Sequence, residues 1–344
     1  MANQSISAYH SNKLRATSFW MIVLVFYIHS YNKEAEQFGI ASWIQSVWDY
    51  GLGSIAVPMF FCISGYLFFN SINGIRDVLQ KQKRRVRTLL LPYVVWNIII
   101  FLGYYVLDSF QGRCWLIDTS VFSYVVSRGP FFCLKFVLGA PMGYHLWFLR
   151  DLIAFVVLAP ILFVLISKMG IWLAILSFLL VQFDSFFVGL FFFILGGVVS
   201  YRYSLEAVDR VLQHKWLRFL SLTITVGYLF IVPFYHDSIP ILFKTLARLS
   251  GMVVFWNLYD KTPLMNRISN KSIVGYTFFL YCFHEPFFLE AVKKYSIVLL
   301  GESNLSLTVL YLVNPIVSIL VIYWLAVSLK CVMPKVYTIL SGGR

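Results

Sequence analysis

The sequence predicts an all-α protein: a polytopic membrane helical bundle of about ten transmembrane helices, with both termini in the cytoplasm. Three observations carry this reading. The 344 residues are 60% hydrophobic and only 12% charged, with a mean hydropathy of +0.77, more apolar surface than a soluble domain of this length buries. Aromatic residues make up 19%, which suits lipid-facing helices with interfacial belts. The basic residues are distributed unevenly along the apolar runs, and that asymmetry sets the orientation.

The runs lie near 16–31, 53–70, 89–108, 144–167, 170–183, 186–201, 216–234, 239–258, 272–291 and 304–330. With the N-terminus in the cytoplasm, 19 of the 28 Lys and Arg fall on the cytoplasmic side and six on the far side. Arg150, Lys244 and Arg248 are left inside spans. The net charge of +13 therefore reads as membrane topology rather than as a nucleic-acid surface. The first run lacks a small-residue cleavage site and is expected to stay as an uncleaved anchor. The pair at 170–201 is short for two crossings. The longest loop, 109–143, holds apolar stretches at 121–126 and 131–138 and is expected to lie on the outer interface as short amphipathic pieces. No repeat and no duplication of halves is visible, so 1–344 reads as a single membrane domain with no appended soluble one. Cys62, Cys282 and Cys331 read as packing residues. Cys114 and Cys133 share the outer loop, where a disulfide is one possibility. No metal-ligand spacing occurs, and no metal is expected.

Polar groups inside spans are costly, so each is a candidate for function. Arg15 and His29 sit at the two ends of the first run. Fourteen residues at 100° each bring them within roughly 40° of one another, about 21 Å apart along the axis. The plainer reading makes Arg15 a boundary residue and His29 an interfacial one beside Tyr27 and Tyr31. In the second run, Ser64-Gly65 permits either close helix approach or local unwinding. Before the third run stands Lys81-Gln-Lys-Arg-Arg-Val-Arg87, which either marks topology against anionic lipid or grips a polyphosphate through arginine forks. The fourth run opens His145-Leu-Trp-Phe-Leu-Arg150-Asp151. Neighbouring helical positions diverge, so Arg150 and Asp151 are expected to pair with other helices, with Asp184, Glu285, Arg248 and Lys244 as candidate partners. In the ninth run, His284-Glu285-Pro286 reads either as a tuned acid–base pair or as a proline kink with satisfied polar groups.

Together these segments resemble the integral-membrane acyltransferase-3 family, which includes bacterial O-acetyltransferases of surface polysaccharides. The resemblance rests on Arg15 and His29, Pro58-MFFCISGY66, Arg85-V-Arg87 running into Leu91-Pro92-Tyr93, His145-Leu-Trp-Phe-Leu149 and Tyr281-CF-His284-E-Pro286. The first span departs from the family pattern: its Arg and His are usually about 11 residues apart, and Ser18 occupies the expected arginine position.

The resemblance implies acyl transfer from cytoplasmic acetyl-CoA to a hydroxyl of a cell-surface glycan (O-antigen, lipopolysaccharide or exopolysaccharide) in a bacterial inner membrane. Succinyl and other short acyl groups remain alternatives. It implies His29, His284 and Glu285 as catalytic, with His29 as general base or transient acyl carrier and His284 or Glu285 orienting it. Arg15, Arg84, Arg85 and Arg87 would hold the CoA phosphates. Ser64, Gly65, His145, Trp147 and Arg150 would line the substrate channel. A polytopic carrier of a lipid-linked saccharide is the alternative class; it predicts broken-helix repeats in matching halves.

Overall fold

A computed structural model describes residues 6–109, 120–139 and 141–343. These residues are helical nearly throughout, and no strand occurs among them. α1 runs Ala8–His29, α2 Gly39–Ser46, α3 Ala56–Phe69 and α4 Ile75–Ser109. Two short helices follow, α5 (Ser120–Ser127) and α6 (Pro130–Leu138), in the loop expected to hold short amphipathic pieces. Next come α7 (Trp147–Met169), α8 (Ile171–Leu180), α9 (Ser185–Arg202) and α10 (Leu205–Leu212). α11 (Lys215–Tyr235), α12 (Ile241–Lys261) and α13 (Pro263–Ile268) lead to α14 (Thr277–Phe283) and α15 (Leu289–Leu300). α16 (Asn304–Val332) and α17 (Pro334–Leu340) end the chain.

Seven helical stretches among the described residues are long and apolar enough to cross a membrane. They are Gly39–Phe69, Ile75–Ser109, Tyr144–Met169, Ser185–Arg202, Lys215–Tyr235, Ile241–Lys261 and Asn304–Val332. Three runs from the sequence reading fall short of that measure. α1 spends its first two turns on His10, Asn12, Lys13 and Arg15. α8 has only 10 residues, about half of a bilayer core in length. The run at 272–291 is interrupted over His284–Phe288.

The chain divides into two compact units. The first holds the residues up to Ile28, Trp43–Arg84 and Phe155–Val274. Its central contact is α3 on α9, backbone against backbone. A Cβ on Gly65 would run into the Phe193 carbonyl, and one on Gly196 into the Cys62 carbonyl. Only glycine allows this approach at both points, the small-residue packing common between membrane helices. α3 is regular through Ser64 and Gly65, so the bend expected there does not occur. Asp184, one of the expected partners of Arg150, instead caps α9 by accepting from the Phe186 amide at 2.7 Å.

At the start of α1 the same unit buries a cation. Lys13, 0% exposed, donates to Asp209 at 3.1 Å and to Asp260 at 2.8 Å. Its ammonium lies 4.6 Å from the Trp256 ring and 5.6 Å from that of Tyr9. His10 reaches the other oxygen of Asp209 at 2.9 Å, and the Trp256 indole and the Tyr9 phenol donate to Asp209 and Asp260 respectively.

The second unit holds His29–Ser42, Arg85–Ala154 and Gly275–Arg344. α15 and α16 form a hairpin whose turn is closed by a Ser303–Ser306 capping box. The Trp96 indole donates to the Leu340 carbonyl at 3.0 Å, which ties α4 to the end of α17. Phe122 and Val125 seat α5 by burial, with the Phe122 ring 5.2 Å from that of Phe101 on α4. Arg150 and Asp151 correct the sequence reading: they pair with each other at 2.7 Å. The arginine stem is long enough to fold its guanidinium back over the next residue, so divergence at Cβ does not separate the charges. The remaining reach of Arg150 goes to the Gly139 carbonyl at 2.9 Å, just past α6. Cys331 is exposed rather than packed, and Cys114 lies outside the described residues.

Two outcomes test this packing. Gly196→Val lowers the unfolding midpoint in detergent by a cost of about 1–3 kcal/mol, the range for overpacking, whereas Gly74→Ala, which faces open space, leaves it unchanged. An unaltered midpoint for Gly196→Val would mean that α3 and α9 do not meet there. Lys13→Met strands two facing carboxylates and costs about 3–5 kcal/mol, and adding Asp209→Asn recovers part of it in the same melt.

Candidate active site

Three imidazoles meet in the second unit. His29 is the last residue of α1, His145 lies in the 3₁₀ turn Tyr144–Leu146 that leads into α7, and His284 follows α14. The His284 ring lies 5.0 Å from that of His29 and 5.1 Å from that of His145, centre to centre. Each position has a local cause. Proline lacks an amide hydrogen and pushes the residue before it out of the helical region. Glu285 accordingly takes φ −125° and ψ 160°, which interrupts the helix beside Pro286. The break releases His284 and Glu285 from the 100° divergence of a regular helix, and both are buried. Before His145, Gly143 leaves its Cβ position to the side chains of Ile100 and His145.

Hydrogen bonds set the tautomers. His284 Nδ1 lies 2.6 Å from the Tyr281 carbonyl oxygen, which only accepts, so Nδ1 carries the hydrogen and the neutral ring keeps its lone pair on Nε2. His145 Nε2 faces the Cys282 carbonyl at 3.2 Å, so its lone pair is on Nδ1. The Tyr281 hydroxyl donates to the His145 carbonyl at 2.6 Å and holds the two turns together.

His29 is different. Its Nδ1 lies 3.1 Å from the Tyr144 hydroxyl, a group that donates or accepts. The Glu285 carboxyl interacts with the same phenol. When the phenol donates to Glu285, its oxygen accepts the His29 Nδ1 hydrogen, and His29 Nε2 is left as the basic nitrogen. Lys293 holds the backbone around this ring. It donates to the His29 carbonyl at 3.2 Å and the Tyr31 carbonyl at 3.3 Å, and pairs with Glu290 at 2.8 Å. An ammonium has three hydrogens, and all three are engaged. The bonds satisfy the His29 carbonyl, which has no partner within α1, and the Tyr31 carbonyl just beyond the helix.

The structure thus brings together His29, His145, His284 and Glu285. Trp147, half-buried, and Arg150 follow on α7 in the same unit, as do Arg85, half-buried, and Arg87, exposed, on α4. Arg15 and Arg84, both exposed, belong to the first unit with Ser64 and Gly65. Tyr144, Tyr281 and Lys293 had no assigned part in the sequence reading. Tyr144 stands directly before the His-Leu-Trp stretch, and its polar tip in an apolar run was the signal available; Lys293 read only as a loop cation.

The acyltransferase domain model of this family matches residues 13–332, nearly the whole chain and all of these site residues. The chain belongs to the acyltransferase-3 family. Succinoglycan biosynthesis protein ExoH of Rhizobium meliloti (strain 1021) is 26% identical over 265 residues, covering 72% of this chain and 69% of ExoH. No solved structure matches. Each of the three histidines is oriented by a hydrogen-bond partner within the fold: His145 and His284 by backbone carbonyls, and His29 by the exposed Tyr144.

The Tyr144 contacts generate a prediction. Tyr144→Phe keeps the ring and removes the hydroxyl, and lowers the rate of acyl transfer about 10–100-fold with little change in KM for the donor. Initial rates over a donor titration read this. A variant as fast as the parent would remove Tyr144 from the relay.

Proposed function

We propose that this chain is a membrane O-acyltransferase that moves a short acyl group, acetyl first, from a cytoplasmic acyl-CoA to a hydroxyl of a cell-surface glycan. The observation that carries the reading is His29, held at the end of α1 with Nδ1 against Tyr144 and beside His284, in a chain of the acyltransferase-3 family. The glycan acceptor is supported by the likeness to a succinoglycan biosynthesis protein. An exopolysaccharide is therefore the first acceptor to test, ahead of O-antigen or lipopolysaccharide.

In this reading His29 Nε2 takes the proton of the acceptor hydroxyl as its oxygen bonds to the thioester carbonyl carbon. The tetrahedral adduct then breaks its C–S bond, and the CoA sulfur leaves as a thiol with the proton from His29. The relay from His29 Nδ1 through Tyr144 to Glu285 steadies the charge that the imidazole gains during the step. Arg85 and Arg87 grip the CoA phosphates, and His145, Trp147 and Arg150 border the acceptor path. Both termini lie in the cytoplasm and the chain sits in the inner membrane, with the broken 272–300 stretch, α1 and α8 completing about ten membrane-embedded segments.

Membranes with the parent or His29→Ala, given acetyl-radiolabelled CoA and a glycan-bearing host extract, test the reading. Alkali-labile label enters the glycan fraction with the parent and falls to background with the variant. Label transfer that survives His29→Ala would sink it. Arg85→Ala raises KM for the donor more than it lowers the maximal rate, and Lys at that position restores only part, because it lacks the bidentate fork. A defect confined to the maximal rate would remove Arg85 from the phosphate grip.

A further inference from the structure

Lys13, Arg150 and Lys293 each meet a carboxylate. Lys244 and Arg248 meet none: no ion pair or side-chain hydrogen bond reaches either among the described residues, and Arg248 Nε is buried without a partner. The two lie one turn apart on α12, one of the seven helices suited to crossing a membrane. Positions i and i+4 share a helix face, so both side chains leave α12 on the same side.

That face is not the outermost one. Ala247, Gly251 and Met252, which surround Arg248 on the helix, are all buried, and a Cβ on Gly251 would meet the side chain of Ile55. The exposed apolar residues Phe243 and Leu246 lie to the other side. On the packed side, the Tyr228 phenol of α11 is within electrostatic range of Arg248, and its hydroxyl donates to the Tyr50 carbonyl at 3.3 Å.

A cation held against an apolar helix face without a counter-ion is unfavourable. A buried donor with no acceptor is equally unfavourable. Both costs vanish when a multiply charged oxyanion sits between the two side chains. A guanidinium fork and an ammonium suit a phosphoryl group better than a carboxylate, because a phosphoryl group offers oxygens in several directions at once. A ligand that reaches a helix face inside the bilayer also carries hydrocarbon.

We propose that Lys244 and Arg248 form an anion site in the first unit that takes the phosphoryl group of a lipid. The site does not depend on acyl transfer. A phospholipid headgroup and the diphosphate of a lipid-linked saccharide supply the same chemistry, and the test separates them.

The full chain in phosphatidylcholine nanodiscs is titrated with polyprenyl diphosphate or with phosphatidylglycerol, and the unfolding midpoint is followed. At least one lipid raises the parent midpoint saturably, and Arg248→Met and Lys244→Met each weaken the apparent Kd by about tenfold or more. Arg248→Lys keeps part of the response. Without added lipid, Arg248→Met unfolds at the parent temperature or above, because it removes an uncompensated charge, so its lost response is not a folding defect. A response to polyprenyl diphosphate alone identifies the lipid-linked saccharide, and a response to both identifies a general phosphoryl site. The proposal is overturned if neither lipid shifts the parent, if the Met variants respond like the parent, or if Arg248→Met is destabilised without ligand, since Arg248 would then already have a counter-ion in the fold.

Discussion

A single buried ammonium anchors the helix that carries the central histidine. Lys13 is fully enclosed, between two carboxylates and against aromatic faces, in a position where a free lysine would be prohibitive. Its partners are 196 and 247 residues away in sequence, on α10 and at the end of α12. Once those charges pair, the axial register of the α1 start is set. α1 continues without a break to His29, about 24 Å farther along. There a second lysine, Lys293, takes up the last carbonyls. Within the second unit, then, the backbone that carries the imidazole is held by Lys293.

The same requirement, that no polar group be left alone in an apolar surrounding, shapes the histidine cluster. His145 and His284 each give a ring hydrogen to a backbone carbonyl, and those carbonyls, of Cys282 and Tyr281, both belong to the last turn of α14, directly before the break at Glu285. The backbone irregularity and the ring orientations are therefore one arrangement. Without Pro286 a regular helix would direct Glu285 about 100° away from His284 and keep the Tyr281 carbonyl for its own ladder. The break places a carboxylate near Tyr144, which connects it to His29 through a phenol rather than directly.

What the sequence revealed and what it concealed follow from the length of the side chains involved. His29, His145, His284 and Glu285 have short side chains, so their place in an ordered set of motifs was enough to group them, and the structure brings them together. Gly65 was legible as a point of either close approach or unwinding, and the Phe193 carbonyl at its Cβ position decides for close approach. Long flexible cations were not legible. Arg150 was expected to seek another helix and instead folds back on Asp151, and Lys13 and Lys293 counted only toward the charge on either side of the spans although both act as clamps. Helical phase says where a Cβ points, but four or five rotatable bonds beyond it leave the charged end free to go elsewhere. Spans met a related limit: apolar runs at 170–183 and 272–291 read as uninterrupted helices by composition, while the first holds a helix of only 10 residues and the second is broken over His284–Phe288.

Charge pairing then offers a way to separate architecture from function in the membrane part of this fold. A cation whose hydrogens are all taken by acids and carbonyls, as those of Lys293 are, has no capacity left for a substrate, and its removal acts through the geometry it maintains. A cation without an acid leaves the free protein carrying an unfavourable charge that only a visitor can offset, and selection has no structural reason to keep it. Lys244 and Arg248 are of the second kind, on a face of α12 that also packs against its neighbours. Arginine and lysine content therefore says little by itself about where anions bind in such a protein. The informative quantity is the local balance of donors against acceptors, and α12 is where that balance is left open.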